Sequence, residues 1–262
     1  MHYPASSAPV VKTQLVDCYD QLPQFNPRWA LFLDFDGTLA DIAPNPSLAN
    51  LQPSIKAAVI AKRARLSGAL ALVSGRTIAD LDAYFCPYRL SAAGMHGAEM
   101  RLPEGESVEL SNGNCNVFSI VAARLVAILK HKQGVVIEHK PLAVTLHYRA
   151  APAQAIACLK AVRTAINEFD EIEVRPGKMV LEIGYRTVKK GFAVERFMTH
   201  SVFKGRIPVF IGDDFADESA INVAQQLGGF GVRILDQADQ TPTCAMYATH
   251  DASVVREWLL AL

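Results

Sequence analysis

The chain has 262 residues, 26 basic and 26 acidic, for a net charge of +0; half of it is hydrophobic and 20% is charged. That is enough apolar material for one large or two small packed domains, which excludes a disordered chain. No global field steers it toward nucleic acid or an acidic membrane, so an anionic ligand must be met by local charge in a cleft.

Residues 1–27 read as an N-terminal extension rich in Pro, Ser and Gln, with one short amphipathic stretch at 11–19 and no assigned chemistry. Ala30-Leu31-Phe32-Leu33 is an apolar run ending in Asp34, the pattern of a buried parallel strand. Residues 54–65 are predicted helical. Residues 69–73 form a second buried strand, ending in Ser74-Gly75-Arg76. A helical period over 77–85 and a third strand over 89–93 follow. Alternation of this kind implies a parallel sheet covered by helices.

The pattern then changes. Residues 103–116 are polar and read as loop. A helix over 117–130 precedes two strands, 135–139 and 143–148. A second helix over 153–169 precedes two more, 172–175 and 179–183, with Pro176-Gly177 as turn chemistry between them. Helix–strand–strand occurring twice describes a small α+β unit with an antiparallel sheet. The parallel pattern resumes with a helix over 191–198, a strand over 209–211 ending at Gly212-Asp213-Asp214, a helix over 217–227, a strand over 231–235 and a closing helix over 253–260. The fold class expected is α/β: a Rossmann-like parallel-sheet core, residues 28–101 and 186–262, with a smaller α+β cap inserted at 102–185. The hinges are expected near 99–103 and 184–188.

Open α/β sheets bind ligands at the carboxyl ends of their strands. Three predicted strands end there in loaded residues: Asp34-Phe35-Asp36-Gly37-Thr38, Ser74-Gly75-Arg76, and Gly212-Asp213-Asp214-Phe215-Ala216-Asp217. Asp34, Asp36, Asp213, Asp214 and Asp217 cannot all sit close together ionised without a counter-charge. Hard oxygen ligands in that number suit Mg2+, which also neutralises phosphate oxygens. Asp34 can act as a nucleophile toward phosphorus, and Asp36, two residues on, can protonate a leaving oxygen and later activate water. Gly37 lets the backbone approach the phosphate. Ser74 supplies a hydroxyl, and a lysine reaching in would stabilise the transferring phosphoryl group. Taken singly, each motif has a plain competitor: a turn, a helix cap or a charge serving a helix dipole.

With a later lysine, these blocks resemble the haloacid dehalogenase superfamily, and the position of the insertion resembles its α+β-capped subclass. From about residue 28 onward the chain is similar to trehalose-6-phosphate phosphatases. The matching segments are Leu72 to Arg76, Ala93 to Glu99, Leu146-His147-Tyr148-Arg149, Gly177-Lys178 with Glu182, Lys190-Gly191, and Gly212 to Glu218. The resemblance implies a Mg2+-dependent hydrolase that forms an aspartyl-phosphate on Asp34, with Asp36 as general acid/base, Ser74 and Lys190 completing the catalytic set, and Asp34, Asp36, Asp213, Asp214 and Asp217 as metal candidates. Lys190 is selected over Lys189 because the family pattern has Lys-Gly opening a helix. The small-molecule partner implied is a sugar phosphate, trehalose 6-phosphate.

The same resemblance implies substrate contacts from Gly37, Thr38, Ser74, Gly75, Arg76, His96 and Gly97 on the core, and from Glu138, Lys140, His147, Arg149, Lys178 and Glu182 on the cap. Glu138 and Lys140 share a strand face by their spacing, as do His147 and Arg149. Cross-strand salt bridges on a solvated face are the competing reading for these charges. His147 packing against the sheet and His96 positioning the cap loop stay open. So do a phosphatase of another glycosyl phosphate (mannosyl-3-phosphoglycerate or sucrose phosphate), a phosphomutase, and a non-catalytic sugar-phosphate binder.

Cys18, Cys86, Cys115, Cys158 and Cys244 are scattered, odd in number and form no CxxC pair. They argue against a zinc site or a disulfide framework. No apolar run reaches membrane-span length, and the first nine residues lack signal-peptide character. A cytoplasmic protein with no nucleic-acid or membrane partner is expected. The oligomeric state is unknown from the sequence, with a monomer as the working expectation.

Overall fold

Apolar runs without alternation, such as Trp29–Leu33 and Leu70–Val73, cannot turn one face to water and become strands covered on both sides. The computed structural model describes residues 12–43, 48–105, 107–109, 116–177, 179–235 and 242–262. In chain order the elements begin with β1 (Gln14–Leu15), β2 (Trp29–Leu33), α1 (Pro53–Arg65), β3 (Leu70–Val73), α2 (Ile78–Phe85) and β4 (Ser91–Gly94). Then come β5 (Glu99–Arg101), β6 (Ser107–Glu109), α3 (Asn116–Leu129), β7 (Val136–Lys140), β8 (Ala143–His147), α4 (Ala155–Ile166), β9 (Ile172–Gly177) and β10 (Val180–Tyr185). The last are α5 (Lys190–Thr199), β11 (Ile207–Gly212), α6 (Glu218–Gln226), β12 (Phe230–Ile234), β13 (Tyr247–Thr249) and α7 (Ala252–Ala261).

The main sheet has nine strands in the order β1-β13-β12-β11-β2-β3-β4-β5-β6. It is parallel from β1 to β4 and antiparallel beyond. The chain lays β3 and β4 on one side of β2 and later returns to lay β11, β12 and β13 on the other. The crevice at the carboxyl ends of β2 and β11 is therefore the topological switch point, where such sheets hold ligands. Helices α5 and α6 pack together, as do α1 and α7.

The second sheet is antiparallel, in the order β7-β8-β10-β9, with α3 and α4 packed side by side against it. Each sheet has its own buried apolar cluster: the main one around Phe32, Phe197, Phe203 and Phe210, the smaller around Phe118, Leu125, Val144 and Ile183. Two cores in one chain, the second formed entirely by an internal stretch, is the architecture the strand–helix order predicts. Among the described residues no helix is long and apolar enough to cross a membrane.

The structure corrects several local expectations. The stretch 103–116 is not all loop: Ser107–Glu109 pairs antiparallel with β5, which itself lay unpredicted at the end of β4. Strand β13 is also unpredicted. Its neighbour β1 lies in the N-terminal stretch, where Val16 and Leu22 are buried in the main core. Such two- and three-residue strands are too short to show a period.

Candidate active site

The site is built where three strands end side by side. Asp34 leaves β2 with its N–H donating to Ile211 O of β11 at 2.9 Å, which fixes it at the switch point. Gly37 then turns the chain at φ +81, and a Cβ there would fall 2.0 Å from Asp213 Oδ2. Only glycine supplies both the left-handed backbone and the space for that carboxylate. Ser74, buried at the end of β3, donates its N–H to Ala93 O at 2.9 Å, while its Oγ accepts from Arg76 N–H at 3.2 Å.

Lys190, the first residue of α5, reaches into this crevice and is buried. Its Nζ donates to Asp34 Oδ1 and Asp217 Oδ1, both at 2.6 Å. Asp217, with no exposure at all, also accepts from Asp214 N–H through Oδ2 at 2.8 Å. Gly97, at φ +106, brings the turn after β4 against Ala193 of α5, which holds the start of that helix in place. Burial opposes the Lys190 charge, but Asp217 and Asp34 outweigh it and hold the ammonium far above the usual lysine range. Lys189, by contrast, takes no part in this network of hydrogen bonds.

Asp34, Asp213 and Asp217 each bring a carboxylate oxygen within 4.8 Å of the others, the one such cluster among the described residues. Burial pushes the Asp34 carboxyl well up; Lys190 pulls it down, and Asp217 and Asp213 push it up again. Three buried carboxylates around one ammonium leave an excess of negative charge, and their hard oxygens fit a divalent cation. Asp36 and Asp214 stand apart from this trio. The Asp36 carboxylate is gripped by Arg76 through two bonds of 2.7 Å, and the Asp214 carboxylate accepts from Phe215 N–H at 2.7 Å. Arg76 also lies over the Phe35 and Tyr84 rings, 5.1 and 5.2 Å from their centroids.

A cavity of about 430 Å3 opens over these residues, roofed by the second sheet. Strand register explains which side chains form the roof. Glu138, Thr145, Glu182 and Arg175 lie opposite one another across β7, β8, β10 and β9, so they share a face. Glu138 Oε2 lies 2.9 Å from His147 Nε2, and that hydrogen bond lowers the Glu138 pKa. Lys140 Nζ donates to Gly75 O at 2.9 Å, and Arg149 donates to Ala43 O. Glu182 Oε1 lies 2.8 Å from His96 Nε2 and 3.8 Å from Arg175 Nη1. The roof is thus docked on the core through charged side chains.

Of the residues expected at the site, Asp34, Asp36, Ser74, Gly75, Arg76, His96, Glu138, Lys140, His147, Arg149, Glu182, Lys190, Asp213 and Asp214 line the cavity. Gly37, Thr38, Gly97 and Asp217 are not among the residues that line it. Lys178 lies outside the described residues. Thr145, Arg175 and Arg233 were not anticipated. Thr145 shares strand parity with His147, a signal that was available. Arg233 is 1% exposed on β12, 4.0 Å from Asp217 and 3.7 Å from Glu218. A lone arginine inside the apolar run Phe230–Ile234 was itself a sign of a buried counter-charge.

The chain is similar to known proteins over most of its length. The family model described as Trehalose-phosphatase matches residues 32–253. The trehalose-6-phosphate phosphatase of Escherichia coli is 36% identical over 222 residues, which cover 84% of this chain and 82% of that protein. A probable trehalose-phosphate phosphatase of Sinorhizobium fredii is 39% identical over 211 residues, 79% of this chain and 78% of that protein. Among solved structures, the C-terminal domain of Candida albicans trehalose-6-phosphate phosphatase has the same fold, with a TM-score of 0.79 at 23% identity over 90% of this chain and 92% of that one.

Proposed function

The chain belongs to the trehalose-phosphatase family of phosphoric monoester hydrolases, and on that premise we propose that it hydrolyses trehalose 6-phosphate through a phosphorylated Asp34. The observation that carries the reading is the buried Lys190 bridging Asp34 and Asp217, with Asp213 beside them, beneath a roof of charged side chains. Pure binding needs no such nucleophile site, which counts against a non-catalytic sugar-phosphate binder.

Asp34 attacks phosphorus as its P–O bond to the sugar breaks, and Asp36, which takes up a proton from solvent and leaves the Arg76 grip as substrate binds, gives that proton to the departing sugar oxygen. Asp36 then takes a proton from water as the water oxygen attacks the phosphoaspartate. That step releases inorganic phosphate and restores both carboxyl groups. Lys190 steadies Asp34 and balances charge on the phosphoryl oxygens. Ser74 offers a hydroxyl to those oxygens, and Arg76 orients Asp36 until substrate binds. Asp34, Asp213 and Asp217 would hold Mg2+, which when bound neutralises phosphate oxygens and aligns them for in-line displacement. Asp217 also places Lys190, whose ammonium donates to its Oδ1, and accepts from Asp214 N–H through Oδ2.

Residues 102–185 are the cap in this reading and 28–101 with 186–262 the catalytic core. The cap face carrying Glu138, Lys140, His147, Arg149 and Glu182 reads the sugar; Lys178 belongs to the same set by its motif. The deciding experiment is phosphate release from trehalose 6-phosphate beside mannosyl-3-phosphoglycerate and sucrose phosphate, with and without Mg2+. Preference for trehalose 6-phosphate, lost in chelator, supports the proposal. Equal rates on all three esters would refute the sugar assignment, and full activity in chelator would refute the metal.

A further inference from the structure

His96 sits in the turn between β4 and β5 with a left-handed backbone, φ +58, directly after Met95 at φ +47. Histidine enters that region more readily than most residues but methionine does not, so two such residues in a row mark a backbone held by its surroundings, and such conformations gather at functional sites. The turn is pinned on the core: Met95 N–H donates to Arg76 O and His96 N–H to Ser74 O, both at 2.9 Å. This conformation sends the buried imidazole past Gly75, where a Cβ would stand 2.8 Å from Nε2. It ends 2.8 Å from Glu182 Oε1, on the cap. The other oxygen, Glu182 Oε2, lies over Gly75 beside the Ser74 turn, 3.4 Å from where that Cβ would be.

We infer that His96 is a positioning residue that seats Glu182 over the phosphate end of the cavity, making cap closure and sugar reading one event. The inference rests on the proposed function, in which Glu182 reads the sugar. A carboxylate only 8% exposed needs a near partner. Arg175 stands at 3.8 Å and Lys140 gives its ammonium to Gly75 O, so the close contact is His96. Because His96 Nε2 faces Oε1, at ion-pair distance and without hydrogen-bond alignment, a sugar hydroxyl can donate to Oε2 without displacing it. Substrate therefore adds to the clamp instead of competing with it. Opening the cap separates the pair and exposes both groups to water, where they hydrate separately.

The test is His96→Asn beside Glu182→Gln and the double variant. Asparagine tolerates the left-handed backbone, so the turn is kept, while its side chain is too short to reach Glu182. On trehalose 6-phosphate, His96→Asn should lose about tenfold or more in kcat/KM, mainly through KM. The loss on p-nitrophenyl phosphate, which lacks the sugar, should be several-fold smaller. The double variant should be no worse than the weaker single one, because the two residues act as a pair. Equal losses on both esters, or additive losses in the double variant, would overturn the inference. Small-angle scattering without substrate separates this from a failure of the sugar assignment: His96→Asn should show a larger radius of gyration than the parent, and an unchanged radius overturns the clamp whatever the substrate proves to be.

Discussion

Asp34→Asn should abolish phosphate release while circular dichroism shows the fold intact, because an amide cannot serve as the nucleophile. Turnover near the parent's would remove Asp34 from that role. Asp36→Asn should slow turnover by about 100-fold or more through loss of the proton shuttle. Glu182 makes a prediction of another kind. Burial disfavours its charge, but His96 first, then Lys140 and Arg175, outweigh that and hold its pKa at about 2, against an ordinary 4.5. A depressed carboxylate pKa means stabilisation that is full above the unfolded value and fades as pH falls through the folded one. The stability gap between the parent and Glu182→Gln, read from denaturant midpoints, should therefore be full near neutrality and shrink below pH 4.5 toward pH 2. A gap that does not change with pH would mean that the charge of Glu182 is not what the cluster stabilises. At this scale the strand ends pointed to the carboxylates, whereas Lys190, the first residue of a helix, came only from the family pattern of Lys-Gly opening a helix. The sequence did not show that Arg76 grips Asp36, nor that Arg233 stands behind Asp217. Those are long-range contacts that no local spacing encodes.

At the scale of elements, α2 shows how a local signal positions chemistry. The helix follows directly on the Ser74-Gly75-Arg76 turn, so its first turn anchors that loop. Thr77 Oγ1 accepts from Asp80 N–H at 3.1 Å, Asp80 accepts in return from Thr77 N–H at 3.3 Å, and Glu99 accepts from Ile78 N–H at 2.6 Å. Thr77→Ala removes one side of this reciprocal cap and should cost about 1 kcal/mol in a denaturant titration. No change in midpoint would mean that Glu99 alone caps the helix. The continuous apolar runs of β2 and β3 and the paired helix–strand–strand units were legible because burial dictates composition over four or more residues. By contrast β6 falls in a polar stretch and β13 is Tyr-Ala-Thr, too short for any period. Both exist because a neighbouring strand offers a ladder of hydrogen-bonding groups, which is tertiary information.

For the whole molecule, the two apolar cores and the cleft between the sheets imply a division of labour. If the core transfers phosphoryl groups and the cap reads sugar, variants of the two should separate kinetically. Glu138→Ala removes a cap carboxylate that His147 holds at 2.9 Å, far in sequence from Asp34 and Asp213. Its effect should be severe on trehalose 6-phosphate and much smaller on a small artificial ester, since only a substrate carrying the sugar can use that carboxylate for orientation and closure. Deleting a hydrogen-bonding group from a desolvated site costs about 1–3 kcal/mol, or roughly 5- to 150-fold in rate, which steady-state assays resolve easily. Asp213→Ala should damage both substrates alike, because each must present the same phosphate to the same carboxylates. The cap also touches the core through Lys140 on Gly75 O and Arg149 on Ala43 O, so a variant that merely loosened closure would slow both esters together. Equal losses on the two substrates in Glu138→Ala would therefore identify the charged roof as a set of docking salt bridges, and specificity would have to be sought on the core side of the cavity.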